Sequence, residues 1–204
     1  MRGFFIVFEG VDRCGKSSQS ASLLSYLEDN HVKAELLKFP DRTTESGKTI
    51  DKYLKREINL TDEEALILFS RNRWECVPRI VQLLQSGVTV IVDRYAYSGI
   101  CYAAAKGVPI NVCIGPECGL PMPDVVFLLD LDIEIAASRD GFGSERFEEA
   151  QFQHKVRRHF LSLYDPCYWI KIDASRPMED VGNEIKDNVD ILFTTYPPDE
   201  IETI

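Results

Sequence analysis

The sequence predicts an α/β fold in which a five-stranded parallel sheet lies between two layers of helices. Short apolar runs recur along its 204 residues, helical patterns separate these runs, and a glycine-rich turn follows the first of them. Alternation of strands and helices is typical of parallel sheets that are covered by helices on both faces. Ligands of such sheets bind beyond the carboxyl ends of the strands, so we expect the functional residues to follow strands.

Each element is predicted from its own pattern. Residues 4–8 are apolar at every position, as expected for a strand that is buried on both faces. A helix follows from about Gly15 with leucines on one face, and a capping box at residues 61–64 opens a long helix through about Gln85. The remaining strands are predicted at residues 34–39, 88–92, 125–129 and 169–172.

The chain is expected to form a single domain, because no linker divides residues 1–204. The glycine-rich segment at about residues 139–147 is predicted to be a small mobile lid. Residues 194–204 contain three acidic residues and are predicted to be a flexible tail.

Composition argues against several partners and compartments. The formal net charge of −10 disfavours binding to nucleic acid or to anionic membranes, since both are recognised through basic surfaces. We find no apolar stretch of the length expected for a signal peptide or a transmembrane helix. The six cysteines include no C-x-x-C pair and are predicted to be reduced thiols, which favours a cytoplasmic or nuclear protein.

The most specific motif of the chain is Gly10-Val11-Asp12-Arg13-Cys14-Gly15-Lys16-Ser17, which matches G-x-x-x-x-G-K-[ST] at every fixed position. Its glycines allow a tight turn in which successive amide N–H groups surround an anion, and the next helix points its N-terminus at the same anion. Lys16 is expected to reach the outer phosphates of ATP, and the Ser17 hydroxyl is a candidate Mg²⁺ ligand. The motif therefore predicts the P-loop variant of the α/β/α fold and an enzyme that transfers a phosphoryl group.

Two variable positions of this loop carry charge, and their interpretation stays open at this point. Asp12 and Arg13 are either solvated loop residues or functional ones. A carboxylate beside bound phosphates is unfavourable unless it faces another group, such as a sugar hydroxyl. An arginine in the same place could stabilise charge on the transferred group.

A second set of candidates follows the other strands or lies on the long helix. Phe69 and Arg73 are four residues apart and share a helix face, which suits stacking on a base and bonding to its edge. The alternatives are core packing for the ring and a surface ion pair for the guanidinium. Asp93 ends a strand parallel to the P-loop strand, where a carboxylate can hold Mg²⁺ through water. Arg42 and Arg94 are placed to clamp a second phosphate.

Four motifs in this set resemble those of thymidylate kinases in order and spacing. They are FPDRTT at residues 39–44, FSRNRWE at 69–75, VDRYAYSG at 92–99 and GLPMPD at 119–124. The resemblance extends from about Phe4 to Ala174, and a P-loop that contains Asp12 and Arg13 is similar to the eukaryotic type. It implies ATP-dependent phosphorylation of dTMP to dTDP for dTTP biosynthesis, with Mg²⁺ and in a homodimer.

The resemblance also implies residue roles. In the family, the P-loop carboxylate matched by Asp12 binds the sugar 3′-hydroxyl, and the P-loop arginine matched by Arg13 bridges the donor and acceptor phosphates. The implied catalytic residues are Arg13, Lys16 and Asp93, and the implied metal-binding residues are Ser17 and, through water, Asp93. The implied ATP-binding residues are Gly10, Val11, Asp12, Arg13, Cys14, Gly15, Lys16, Ser17, Ser18, Arg139 and Arg146. The implied dTMP-binding residues are Asp12, Phe39, Arg42, Phe69, Arg73, Arg94, Ser98, Gly99, Tyr102 and Phe147.

Two positions depart from the family pattern, and three other activities are possible for a P-loop protein. Phe147 stands where relatives often have tyrosine, and Met122 replaces a basic residue that is common there. A deoxynucleoside kinase is the nearest alternative, but Arg42 favours an acceptor that already carries a phosphate. A regulatory GTP-binding switch lacks support because no N-K-x-D motif occurs. Intact Lys16, Ser17 and Asp93 argue against a catalytically silent P-loop protein.

Overall fold

The sheet has five strands that all run parallel. The computed structural model describes residues 1–196, 198 and 200–204. The strands are β1 (Phe5–Glu9), β2 (Ala34–Lys38), β3 (Thr89–Asp93), β4 (Val125–Asp130) and β5 (Trp169–Asp173). Their order across the sheet is β2-β3-β1-β4-β5. The predicted fold class is therefore confirmed, and each predicted strand lies within one residue of the observed one at its start.

Helices connect consecutive strands, as parallel pairing requires. They are α1 (Lys16–Asp29), α2 (Glu45–Leu54), α3 (Asp62–Gln85), α4 (Ala96–Ala105), α5 (Ile110–Ile114), α6 (Ile133–Ala137), α7 (Ala150–Leu163) and α8 (Met178–Thr195). The predicted capping box at the start of α3 is present, with the Thr61 hydroxyl accepting from the Glu64 N–H and the Glu64 carboxylate accepting from the Thr61 N–H. Among the described residues, no helix is both long and apolar enough to cross a membrane.

The position of β1 at the centre of the sheet decides where the site lies. All five β1 residues are fully buried, because helices cover both faces of the strand. In the register of the sheet, Phe8 pairs with Asp93 of β3, and Glu9 pairs with Leu128 of β4. The loop that leaves β1 and the carboxylate that ends β3 therefore meet at one edge of the sheet.

The segment at residues 139–147 is built of turns between α6 and α7. Gly141 and Gly143 both adopt positive φ there, at 77° and 95°. This irregular backbone lies at the mouth of the P-loop, where the lid was predicted. Its mobility stays a prediction.

The end of the chain is in contact with the rest of the protein. Thr194 and Thr195 belong to α8, and Pro197 and Asp199 lie outside the described residues. The Ile204 N–H donates to the Leu120 carbonyl, and the Ile204 carbonyl accepts from the Gly119 N–H. These main-chain bonds place the last residues of the predicted flexible tail against the 119–122 turn, which sequence pattern does not reveal.

Candidate active site

The carboxyl edge of the sheet opens into a cavity of about 610 Å³. It is bounded by the P-loop, the ends of β2 and β3, the helices α3 and α4, and the lid segment. The predicted residues that line it are Asp12, Arg13, Gly15, Lys16, Ser17, Ser18, Phe39, Arg42, Phe69, Arg73, Asp93, Arg94, Ser98, Gly99, Tyr102, Arg139 and Phe147. The structure thus brings the three predicted catalytic residues and all ten predicted dTMP residues into one space.

The P-loop requires its glycines for geometric reasons. Gly10 has φ of 141°, and a Cβ there would lie 2.6 Å from the Leu129 carbonyl oxygen, so only glycine fits. Gly15 has φ of 104° and precedes the first turn of α1. The Lys16 ammonium donates to the Gly10 carbonyl at 3.1 Å and to the Val11 carbonyl at 2.6 Å, which holds it at the loop. Cys14 is buried beneath the turn, with its Sγ 3.3 Å from Lys16 Nζ.

The candidate metal site joins α1 to β3. The Ser17 hydroxyl donates to the Asp93 carboxylate at 2.5 Å, and Asp93 is buried. Lys38 was not predicted, yet its ammonium lies 3.1 Å from Ser17 Oγ and 3.5 Å from Asp93 Oδ2. The positively charged Lys38 ammonium therefore lies close to both the Ser17 hydroxyl oxygen and the Asp93 carboxylate oxygen. A hydroxyl and one carboxylate fit Mg²⁺, which is usually bound by one or two carboxylates together with water and substrate phosphates.

Arg13 points into the lid. Its Nε donates to the Glu148 carboxylate at 2.9 Å, and its two terminal nitrogens donate to the carbonyls of Asp140 and Gly141 at 3.0 and 2.7 Å. A non-glycine φ of 62° at Arg13 turns the side chain in this direction. The guanidinium is thus joined to the lid backbone by two hydrogen bonds and to the Glu148 side chain by a third.

Glu148 organises the lid backbone at the same time. Its second oxygen accepts from the N–H groups of Gly143, Ser144 and Glu145 at 3.0, 2.9 and 3.1 Å. Burial alone would raise the pKa of Glu148, but hydrogen bonds from Arg13 and the lid outweigh burial and hold that pKa below its usual value. The carboxylate therefore stays ionised and ties the lid conformation to Arg13.

A second part of the cavity wall, where we place the acceptor below, is built around Arg94. Its terminal nitrogens donate to the Asp12 carboxylate, to the Gly10 carbonyl at 3.2 Å and to the Ser98 hydroxyl at 3.2 Å. Burial lowers the pKa of Arg94, but nearby Tyr102 and Asp12 outweigh this and raise it, so the guanidinium remains charged. Asp12 faces the acceptor side, since its other oxygen accepts from the Gln153 amide at 2.7 Å. The solvated-loop reading of Asp12 and Arg13 is therefore not the one observed.

Phe69 and Arg73 occupy the end of the cavity away from the P-loop. Phe69 is half-buried and lines the cavity, with its ring edge-on to Tyr53 at 6.4 Å between centroids. Arg73 is buried and forms a bidentate ion pair with buried Glu117. A Cβ on Gly99 would collide with this pair, which explains the glycine in α4. The surface ion pair considered for Arg73 is thus replaced by a buried one.

Comparison with known proteins identifies the family. The thymidylate kinase family model matches residues 8–185. The chain belongs to the thymidylate kinase family. It is 47% identical over 193 residues to the thymidylate kinase of Schizosaccharomyces pombe, with 92% of each chain covered, and 44% identical over 188 residues to that of Homo sapiens, covering 91% of this chain and 89% of the human one. A solved thymidylate kinase from Candida albicans superposes with a TM-score of 0.92 at 36% identity, covering 100% of this chain and 98% of that one.

Four predicted ATP-binding residues of this thymidylate kinase family member do not line the cavity, namely Gly10, Val11 and Cys14 of the P-loop and Arg146. Arg146 was expected to bind ATP, but it lies outside the cavity lining. Its Nε donates to the Tyr53 carbonyl at 2.8 Å, a terminal nitrogen donates to the Ile58 carbonyl at 2.8 Å, and the guanidinium lies 4.3 Å from the centre of the Tyr53 ring. In this structure Arg146 therefore joins the lid to α2. Arg139 does line the cavity and donates to the Arg13 carbonyl at 2.5 Å.

Several residues that hold the site together carry no local signal in the sequence. Glu148, Gln153 and Glu117 bind predicted site residues from positions 135, 141 and 44 residues away. Each is a common polar residue outside the quoted motifs. Their only sequence signal would be a long-range pairing, which a single sequence does not show.

Proposed function

We propose that the protein transfers the γ-phosphoryl group of ATP to dTMP and so forms dTDP for dTTP biosynthesis. The observation that supports this most directly is the shared cavity, in which a P-loop faces two arginines and an aromatic base pocket. Phosphoryl transfer depends mainly on placing both substrates in line and neutralising charge, which such a cavity can do.

On the acceptor side, we assign the phosphate of dTMP to Arg42 and Arg94. Arg42 lines the cavity at the lid, with its guanidinium 2.7 Å from both Asp51 and Glu145. Phe69 would stack on thymine while Arg73, fixed by Glu117, bonds the base edge. Asp12 would accept from the 3′-hydroxyl, because its carboxylate already faces the acceptor side.

On the donor side, Lys16 and the amide groups of the loop would hold the outer phosphates of ATP. Ser17 and Asp93 would hold Mg²⁺, which when bound neutralises charge on the phosphate oxygens. Arg13 would bring a second positive charge to the transferred group, and Glu148 fixes its direction. Lid contacts with Arg13 also exclude water from the phosphates, which protects ATP from hydrolysis.

A substrate panel tests this proposal. Coupled ADP release with ATP and Mg²⁺ is measured for dTMP, dUMP, UMP and thymidine. We expect dTMP to be phosphorylated and thymidine to be inactive, since the two acceptor arginines need a phosphate to bind. Phosphorylation of thymidine with no turnover of dTMP would replace the proposal with a deoxynucleoside kinase.

We further propose that the protein is a homodimer in the cytoplasm or the nucleus. Ile67 of α3 is 55% exposed and Val112 of α5 is 44% exposed, and exposed apolar side chains such as these are candidates for contacts with a second subunit. All six cysteines are free, in keeping with a reducing compartment. Analytical ultracentrifugation of the wild type and of Ile67→Glu tests the dimer, and a fluorescent fusion tests the location.

A further inference from the structure

Glu9, the last residue of β1, is a buried carboxylate that the proposed reaction does not use. Its side chain is fully buried and forms no ion pair within the described part of the chain. It accepts three hydrogen bonds instead, from the Tyr95 N–H and the Ser98 N–H at 2.9 Å each and from the Ser98 hydroxyl at 2.5 Å. Burial raises the pKa of Glu9, and the three donors oppose this effect. Burying the carboxyl oxygens without hydrogen-bond partners would be costly, so the three bonds are a specific feature of the fold.

The first effect of these bonds is on α4. Tyr95, the N-cap of that helix, provides no capping bond from its own side chain. The first N–H groups of a helix lack partners within the helix, and a carboxylate near them is also favoured by the helix dipole. Glu9 therefore caps α4 from a different element, and α4 carries Ser98, Gly99 and Tyr102 of the acceptor side.

The second effect is on Arg94. The same Ser98 hydroxyl that donates to Glu9 accepts from Arg94 Nη1 at 3.2 Å. Arg94 itself has φ of 70°, a left-handed conformation that a non-glycine residue keeps only when its surroundings hold it. The N–H of the next residue, Tyr95, is one of the three donors to Glu9. Glu9 thus restrains both the backbone and the side chain of Arg94.

We propose that Glu9 is a positioning residue that sets Arg94 to receive the acceptor phosphate. This rests on the role proposed above for Arg94. Because β1 runs directly into the P-loop, Glu9 also fixes the distance between that loop and the N-terminus of α4. It contacts neither substrate, and its effect reaches dTMP only through Ser98 and Arg94.

The variant Glu9→Gln tests the inference by calorimetric binding to the full chain. The glutamine side chain offers only one oxygen to the three donors. Its NH2 group takes the place of the other carboxylate oxygen and therefore faces a donor instead of accepting from it. With Ser98 and the backbone of Arg94 less restrained, the charge-assisted hydrogen bond from Arg94 to the acceptor phosphate should weaken, and the loss of one such bond predicts that dTMP affinity falls about tenfold. Thymidine, which lacks the phosphate, and a non-hydrolysable ATP analogue should bind nearly as before.

Asp124→Asn is the matched control. Asp124 is a carboxylate at the opposite end of β1, where it accepts from the Phe5 N–H at 2.7 Å and pairs with Arg2 at 2.6 Å. This variant should lower the melting temperature without changing dTMP affinity. Ser98→Ala is the second test, since it removes the hydroxyl link to Arg94 but keeps the main-chain cap, and it should reproduce the selective loss for dTMP.

Arg94→Ala separates the inference from the role on which it rests. If Arg94→Ala weakens dTMP binding and neither Glu9→Gln nor Ser98→Ala does, the inference is overturned and the role of Arg94 stands. If Arg94→Ala has no effect on dTMP binding, both are overturned. If Glu9→Gln lowers the affinity for dTMP, thymidine and the ATP analogue equally, Glu9 has a purely structural role and the inference is overturned. In the Arg94→Ala background, Glu9→Gln should add little to the loss for dTMP.

Discussion

Glu117→Ala should destabilise the protein far more than the loss of an exposed ion pair does. Glu117 is fully buried and its partner Arg73 is 3% exposed, with Arg73 Nε donating to the carboxylate at 2.8 Å. Removing the carboxylate leaves a buried guanidinium without its counter-ion. Breaking a buried pair in this way costs about 3–5 kcal/mol. For a chain of this length, about 2–4 °C of melting temperature per kcal/mol gives a decrease of about 6–20 °C.

The control is Arg71→Ala on the same helix. Arg71 is 70% exposed and pairs with Glu75 at 3.1 Å one turn away. An exposed pair of this kind contributes no more than about 0.5 kcal/mol to stability. The melting temperature of Arg71→Ala should therefore be lower than that of the wild type by about 2 °C at most. Both variants are compared with the wild type by differential scanning calorimetry at pH 7. A decrease in Glu117→Ala no larger than in Arg71→Ala would refute the reasoning about this pair.

Three further predictions concern the proposed transfer. Arg13→Ala should lower kcat about a thousandfold or more while dTMP affinity changes little, because the charge acts mainly in the transition state; an unchanged kcat would contradict the role. Phe69→Ala should raise the KM for dTMP about tenfold, in keeping with the loss of one stacked base, and leave that for ATP unaltered; equal changes would make the ring a core residue. Glu148→Gln should increase hydrogen exchange at residues 139–147 and lower kcat, and exchange as slow as in the wild type would count against it. Since the pKa of Glu148 is held below its usual value, its stabilisation of the lid is fully present above the ordinary glutamate pKa and is lost as the pH falls through the lowered one. The protection factors of the wild-type lid amides, which correct for the slower intrinsic exchange at low pH, should therefore decrease as the pH falls below the ordinary glutamate pKa.

The fold could be predicted because its elements are local patterns. Each strand is a short apolar run, and the observed β1 (Phe5–Glu9) and β3 (Thr89–Asp93) differ from the predicted ranges by one residue. The P-loop could be recognised because its geometry demands glycines at fixed spacing. Short helices such as α5 (Ile110–Ile114) and α6 (Ile133–Ala137) carry too few residues for a helical period to be visible.

The candidate site was predictable only in part, for a different reason. Residues that face the cavity follow strands or lie on one helix face, so they can be predicted from their position in the sequence. Residues that hold them, such as Glu9 and Glu148, act through contacts across the fold and lack a local pattern. Arg146 was assigned to ATP from its place in the lid, and that assignment stays a prediction. In this structure its guanidinium donates to the carbonyls of Tyr53 in α2 and of Ile58, contacts that no local pattern indicates.

Neighbouring side chains of the P-loop point to different halves of the cavity. Asp12 is held by Arg94 and Gln153 on the acceptor side, whereas Arg13 is held by the lid. A displacement of this dipeptide by a compound in the nucleoside pocket would therefore be transmitted to the lid as well. A compound bound beside Asp12 should in this way also change the lid contacts of Arg13, and such compounds are best screened with both substrates present.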